Sequence, residues 1–107
     1  MPRSTVEINK IIKKTINLLK DYIAVDTAYL FGSYANGHPH KYSDIDLAIF
    51  SPSVNKMSLE QKINLLAQAA EKIDTGVEIH LFSKKCLRDA RPTNFYGYIL
   101  KTGKRIH

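Results

Sequence analysis

A chain of 107 residues and 12.2 kDa, 44% hydrophobic and 24% charged, is sized for one domain around a single packed core. Its longest apolar runs, such as Ala28 to Phe31 and Leu47 to Phe50, reach four residues, which excludes a membrane-crossing helix of about 20. A lone cysteine, Cys86, excludes an internal disulfide framework and a cysteine-rich zinc site, and the net charge of +6 admits an acidic partner such as nucleic acid while also serving solubility alone.

From the amino terminus, Met1-Pro2-Arg3-Ser4 leads straight into an alternating charged and apolar pattern with no secretory core or cleavage site, so the expected compartment is the reducing cytoplasm. Ser4-Thr5-Val6-Glu7 has the spacing of a capping box, and Ile8, Ile11, Ile12, Leu19 and Ile23 then share one helical face, which predicts a helix over 5–23. Thr27 to Phe31 is short, β-branched and aromatic, and reads as a strand ending at the Gly32-Ser33 turn. Asn36-Gly37 and Pro39 leave room for about one helical turn after it. Asp44 to Phe50 is a second strand, closed by Ser51-Pro52-Ser53. Ser58-Leu59-Glu60-Gln61 is another capping box, opening an apolar-faced helix to Ile73 that Thr75-Gly76 ends. Val77 to Phe82 alternates as a third strand, and a last helix follows Arg91-Pro92 through Leu100, with Gly103 terminating it. The order αβ(turn)βαβα, without repeats, linkers or low-complexity segments, predicts one domain over residues 1–107. The expected class is α+β (or α/β), with a mixed sheet of at least three strands and helices packed on one face.

Side chains alternate across a strand, so Asp44, Asp46 and Ala48 point to one face and Ile45, Leu47 and Ile49 to the other. On the third strand Glu78, His80 and Phe82 oppose Val77, Ile79 and Leu81. With helices over the aliphatic face, Glu78 joins Asp44 and Asp46 on the other. Three like charges at one end of a sheet repel one another, and the natural filler is a hard divalent cation held by carboxylate oxygens. Two such ions can activate a hydroxyl, stabilise a leaving oxygen and hold a phosphate between them.

Gly32-Ser33 stands after a strand and before a helical turn, where unpaired backbone N–H groups attract phosphate and glycine admits its close approach. Gly32 and Gly37 have the spacing of a Walker A pair, but His38 and Pro39 replace its Lys and Ser or Thr. Ser33 lacks the second glycine of a hydrolase elbow, and Leu47-Ala48-Ile49 is the reverse of an EF-hand loop. His38 and His40 read as loop residues rather than a zinc site. His80 follows Glu78 on the same face, where it either contacts substrate or packs as a half-buried structural side chain. Tyr96 and Tyr98 are expected to pack the last helix.

Gly32-Ser33, ten intervening residues, Asp44-Ile45-Asp46 and a carboxylate on the next strand together resemble the nucleotidyltransferase superfamily typified by DNA polymerase beta. The stretch Gly32-Ser33-Tyr34-Ala35-Asn36-Gly37 through Ser43-Asp44-Ile45-Asp46-Leu47 looks like the minimal nucleotidyltransferase, or MNT, family, over roughly residues 5–100. The resemblance implies the small polymerase beta-like fold. It implies that Gly32 and Ser33 hold nucleotide phosphates, and that Asp44, Asp46 and Glu78 are the catalytic residues and ligands of two Mg2+ ions, with Mn2+ as a substitute. It implies transfer of a nucleoside monophosphate, AMP from ATP, to a hydroxyl. Two positions depart from the family pattern: Glu78 stands where aspartate is frequent, and Asn36 where many members have arginine.

Three carboxylates, two magnesium ions and a triphosphate leave about three negative charges to offset. Charge is unevenly placed along the chain: residues 1–25 carry five basic and two acidic groups, 26–83 four and seven, and 84–107 seven and one. The seven basic residues beyond Ser83 are therefore counter-charge candidates, Lys84 and Lys85 being nearest in sequence. No stretch is left over for an acceptor domain, so the acceptor is expected on another chain. The MNT resemblance implies a small helical HEPN protein, the toxin of a toxin-antitoxin pair, modified on a tyrosine. The alternatives are an idle module that masks a HEPN partner, and a basic nucleic-acid-binding protein.

Overall fold

Ser4 starts the first helix by accepting the Glu7 backbone N–H, and its own hydroxyl donates to the Glu7 carboxylate, so the predicted cap forms with the glutamate engaging the hydroxyl. The computed structural model describes residues 4–36, 44–73, 76–91 and 93–107. Helix α1 spans Thr5–Lys20, ending before the predicted residue 23 because the N–H groups of Asp21, Tyr22 and Ile23 all turn back to Leu18 or Leu19. Ile23 is nevertheless buried, which is why its spacing reads as helical.

Strand β1 (Thr27–Phe31) matches its predicted bounds and feeds a one-turn helix α2, Ser33–Asn36. Strand β2 (Ile45–Ser51) follows, then helix α3 (Leu59–Lys72), strand β3 (Val77–Ser83), helix α4 (Phe95–Thr102) and the two-residue strand β4, Lys104–Arg105. The α3 capping box is complete: the Gln61 N–H donates to the Ser58 hydroxyl, and the Ser58 N–H donates to the Gln61 side chain. Short 3-10 turns at Pro52–Lys56 and Lys84–Leu87 follow β2 and β3 and were not anticipated; Ser51 and Ser83, register partners across the sheet, cap them. Strand β4 was also unanticipated. The loop residues Gly37, His38, Pro39, His40 and Ser43, and the Thr75 and Pro92 breaks, lie outside the described residues.

The sheet order is β3-β2-β1-β4, with β2 antiparallel to β1 and parallel to β3, so the sheet is mixed as expected. Ile8, Ile12, Ile16 and Leu19 of α1 and Leu65 of α3 pack on Ala28, Leu30, Ile45, Leu47 and Ile49, covering the predicted aliphatic face. Removing this surface from water is worth roughly 1.5–3 kcal/mol for each large aliphatic side chain. The opposite face is partly covered too: Ile99 of α4 packs with Phe31, Ala48 and Phe50, and Phe82 and Tyr96 lean on them. Helices thus share one face as the sequence implied, and α4 adds a smaller layer on the other. Gly97 makes this layer possible, because a Cβ there would overlap the Arg91 carbonyl.

Candidate functional site

Strand β2 is buried along its length except at Asp46, the one carboxylate in a central strand that is otherwise apolar up to Ser51. A charged side chain there is costly unless something compensates it. In-register parallel pairing sets Glu78 beside Asp46, and Phe31, the last residue of β1, lies opposite Asp46 on the other side. The chain leaves β1 through Gly32 at φ 78°, a left-handed conformation that favours glycine. A Cβ on Gly32 would collide with Asp46 Oδ2, so the glycine-serine turn is folded directly against the aspartate. Ser33 then begins α2, and the Ala35 N–H donates to the Gly32 carbonyl at 3.1 Å.

Three side chains converge at this end of the sheet. One donor atom each from Asp46, Glu78 and His80 lie within 4.8 Å of one another. His80 Nε2 stands 3.8 Å from Asp46 Oδ1 and 3.7 Å from Glu78 Oε1. Side-chain exposure is 23% for Asp46, 28% for His80 and 57% for Glu78. Burial, then the negative charge of Glu78 and a hydrogen bond with it, push the Asp46 carboxyl above its usual range; His80 opposes this and Asp44 adds to it.

Asp44 is exposed, immediately before β2, and lies outside the close trio although its charge reaches Asp46. The structure therefore brings Gly32, Asp46 and Glu78 together, sets Ser33 beside them in sequence, and adds His80. The face-sharing of Glu78 and His80 was legible in the strand alternation; the approach of His80 to Asp46 required the β2–β3 register. The donor set fits a divalent cation: two carboxylates converge, and the imidazole nitrogen aimed at both is buried without a hydrogen-bond partner.

Lys84 does not serve this site. It sits beyond the far end of β3, six residues from Glu78 or about 20 Å along the strand, with its ammonium 3.2 Å from Asp26 Oδ1. Lys85 follows at the same far end. Parallel pairing explains the difference: the start of β3, not its finish, lies beside the start of β2.

The fold and this end of the sheet define a nucleotidyltransferase architecture. The family described as "Polymerase beta, Nucleotidyltransferase" matches residues 13–107, and the chain belongs to that family. It is 35% identical over 83 residues to a candidate protein adenylyltransferase of Methanocaldococcus jannaschii, covering 78% of this chain and 81% of that one. It is 37% identical over 76 residues to the protein adenylyltransferase MntA of Shewanella oneidensis, covering 66% of this chain but only 48% of that protein. Among solved structures, a toxin-antitoxin complex with AMP-PNP superposes with a TM-score of 0.62 at 30% identity, over 87% of this chain and 69% of that one. The complex of a tri-AMPylated Shewanella oneidensis HEPN toxin with its MNT antitoxin gives 0.59 at 25% identity, over 92% and 70%.

Proposed function

We propose that the chain is the MNT antitoxin of a HEPN/MNT pair and transfers AMP from ATP to a hydroxyl, a tyrosine of its HEPN partner. The observation carrying this reading is the register of β2 and β3, which sets Asp46 beside Glu78 with the Gly32 turn packed against Asp46. The named relatives and the AMPylated toxin complex support the nucleotide and the acceptor.

In this reading Gly32 lets the backbone approach the β and γ phosphates, and Ser33 adds a hydroxyl donor to them. Asp44, Asp46 and Glu78 would hold two Mg2+ ions. When bound, these supply charge neutralisation at the phosphates and a lowered pKa at the acceptor hydroxyl. Glu78, the most exposed of the trio, would take the acceptor proton in this reading. The acceptor oxygen bonds to the α-phosphorus, the bond from that phosphorus to the bridging oxygen breaks, and pyrophosphate leaves with the electron pair. Residues 1–107 act as one domain, in the reducing compartment implied by the lone Cys86.

The test is intact-mass analysis of a HEPN partner incubated with this chain, ATP and Mg2+. One or more AMP adducts are expected on the partner, and none with Asp46→Asn. A stable complex without adduct would replace transfer by masking, and an adduct that survives Asp46→Asn would refute the site.

A further inference from the structure

His80 belongs to no part of the carboxylate triad, yet its geometry is that of a ligand. Its Nε2 is buried and makes no hydrogen bond. The distances of 3.8 and 3.7 Å to Asp46 and Glu78 exceed the roughly 3.2 Å limit of an N–H···O bond. An imidazole placed there to tie the carboxylates together would close those gaps. A gap of this width leaves room for an ion between the donors.

The ring is also held in this pose. Phe31 lies 5.1 Å from it between ring centres, and Phe82 stacks at 6.3 Å with 20° between planes. Its register partner on β2 is Ala48, small and fully buried, which leaves room for the imidazole to lean across the sheet toward Asp46. Packing therefore pre-sets the nitrogen for an ion before any ion arrives.

We infer that His80 Nε2 is a ligand of the cation held by Asp46 and Glu78, and that it biases the site toward a first-row transition ion over magnesium. The inference rests on the metal-site reading above and deepens it. Magnesium takes oxygen donors and gives up its water reluctantly, whereas an imidazole nitrogen favours ions later in the transition series. The departure of Glu78 from aspartate fits the same site, because the longer side chain brings Oε1 to 3.7 Å from His80 Nε2.

The probe is Mn2+ added to the nucleotide-free chain in a nitrogen-free buffer, followed by electron paramagnetic resonance. Electron spin-echo spectra of bound Mn2+ are expected to show nitrogen coupling that changes isotope when the protein is made with 15N-histidine, a readout needing no variant. In His80→Ala that coupling is expected to vanish, with Co2+ affinity falling about tenfold and Mg2+ affinity less than about threefold in a parallel titration. Bound Mn2+ without nitrogen coupling in the wild type, coupling retained in His80→Ala, or an unchanged Co2+ to Mg2+ preference overturns the assignment of His80. Absence of Mn2+ binding, or binding unaffected by Asp46→Asn, overturns the metal site as well.

Discussion

Asp46 carries two opposed demands. It is the residue that β1, β2 and β3 together surround, and its carboxyl is pushed above the ordinary value by burial and by Glu78. A folded-state pKa above the unfolded one means the folded chain binds the proton more tightly. The resulting penalty is absent below the unfolded pKa and accumulates as pH rises from there through the folded pKa, so the cation-free protein bears it at neutrality. Asp46→Asn is therefore expected to raise cation-free stability at about pH 7, by the roughly 0.5–2 kcal/mol common when a strained functional group is relieved, with a smaller gain at about pH 4. AMP transfer should fall at least about a hundredfold in the same variant. Urea unfolding at both pH values checks the first expectation, and an equal gain at each would contradict it.

At the scale of elements, α3 links the two parallel strands that form the site, and its N-terminus rests on the reciprocal Ser58–Gln61 pair. Ser58→Ala should cost about 1 kcal/mol, read as a lower urea midpoint with an unchanged slope. Most elements were legible because their signals are local: alternation gave β2 and β3, and serine caps gave the starts of α1 and α3. Strand β4 was not legible because Lys104 and Arg105 have no strand signature; only Tyr29 and Leu30 opposite them make it a strand. The same division runs through the site. Gly32, Asp46 and Glu78 are visible as pattern, whereas the wrong placement of Lys84 came from judging proximity by sequence, which a parallel register reverses.

Across the whole molecule the two ends of the sheet differ in chemistry. One end gathers Asp46, Glu78 and His80; the other pairs Lys84 with Asp26, whose carboxyl is held below its usual range by the Thr27 hydroxyl and then by Lys84. Asp26 thus stabilises the fold above its unfolded pKa, and that contribution is lost as pH falls through the folded value. The pair is solvent-exposed and weak. Lys84→Ala should leave ATP affinity within about twofold at moderate salt, since charges about 20 Å apart are screened beyond a Debye length. A nucleotide titration checks this, and a tenfold loss would bring Lys84 back to the phosphates.

The parallel pairing of β2 with β3 has a temporal side. Strands β1 and β2 are near neighbours in sequence and can meet early, but Glu78 reaches Asp46 only after the chain has passed through α3 and returned along the sheet. The carboxylates thus become neighbours only through a long-range step of folding. A chain that has formed only its local helices and its β1–β2 ladder has no place to hold a cation, so the capacity to bind one marks a molecule in which the β2–β3 pairing has formed.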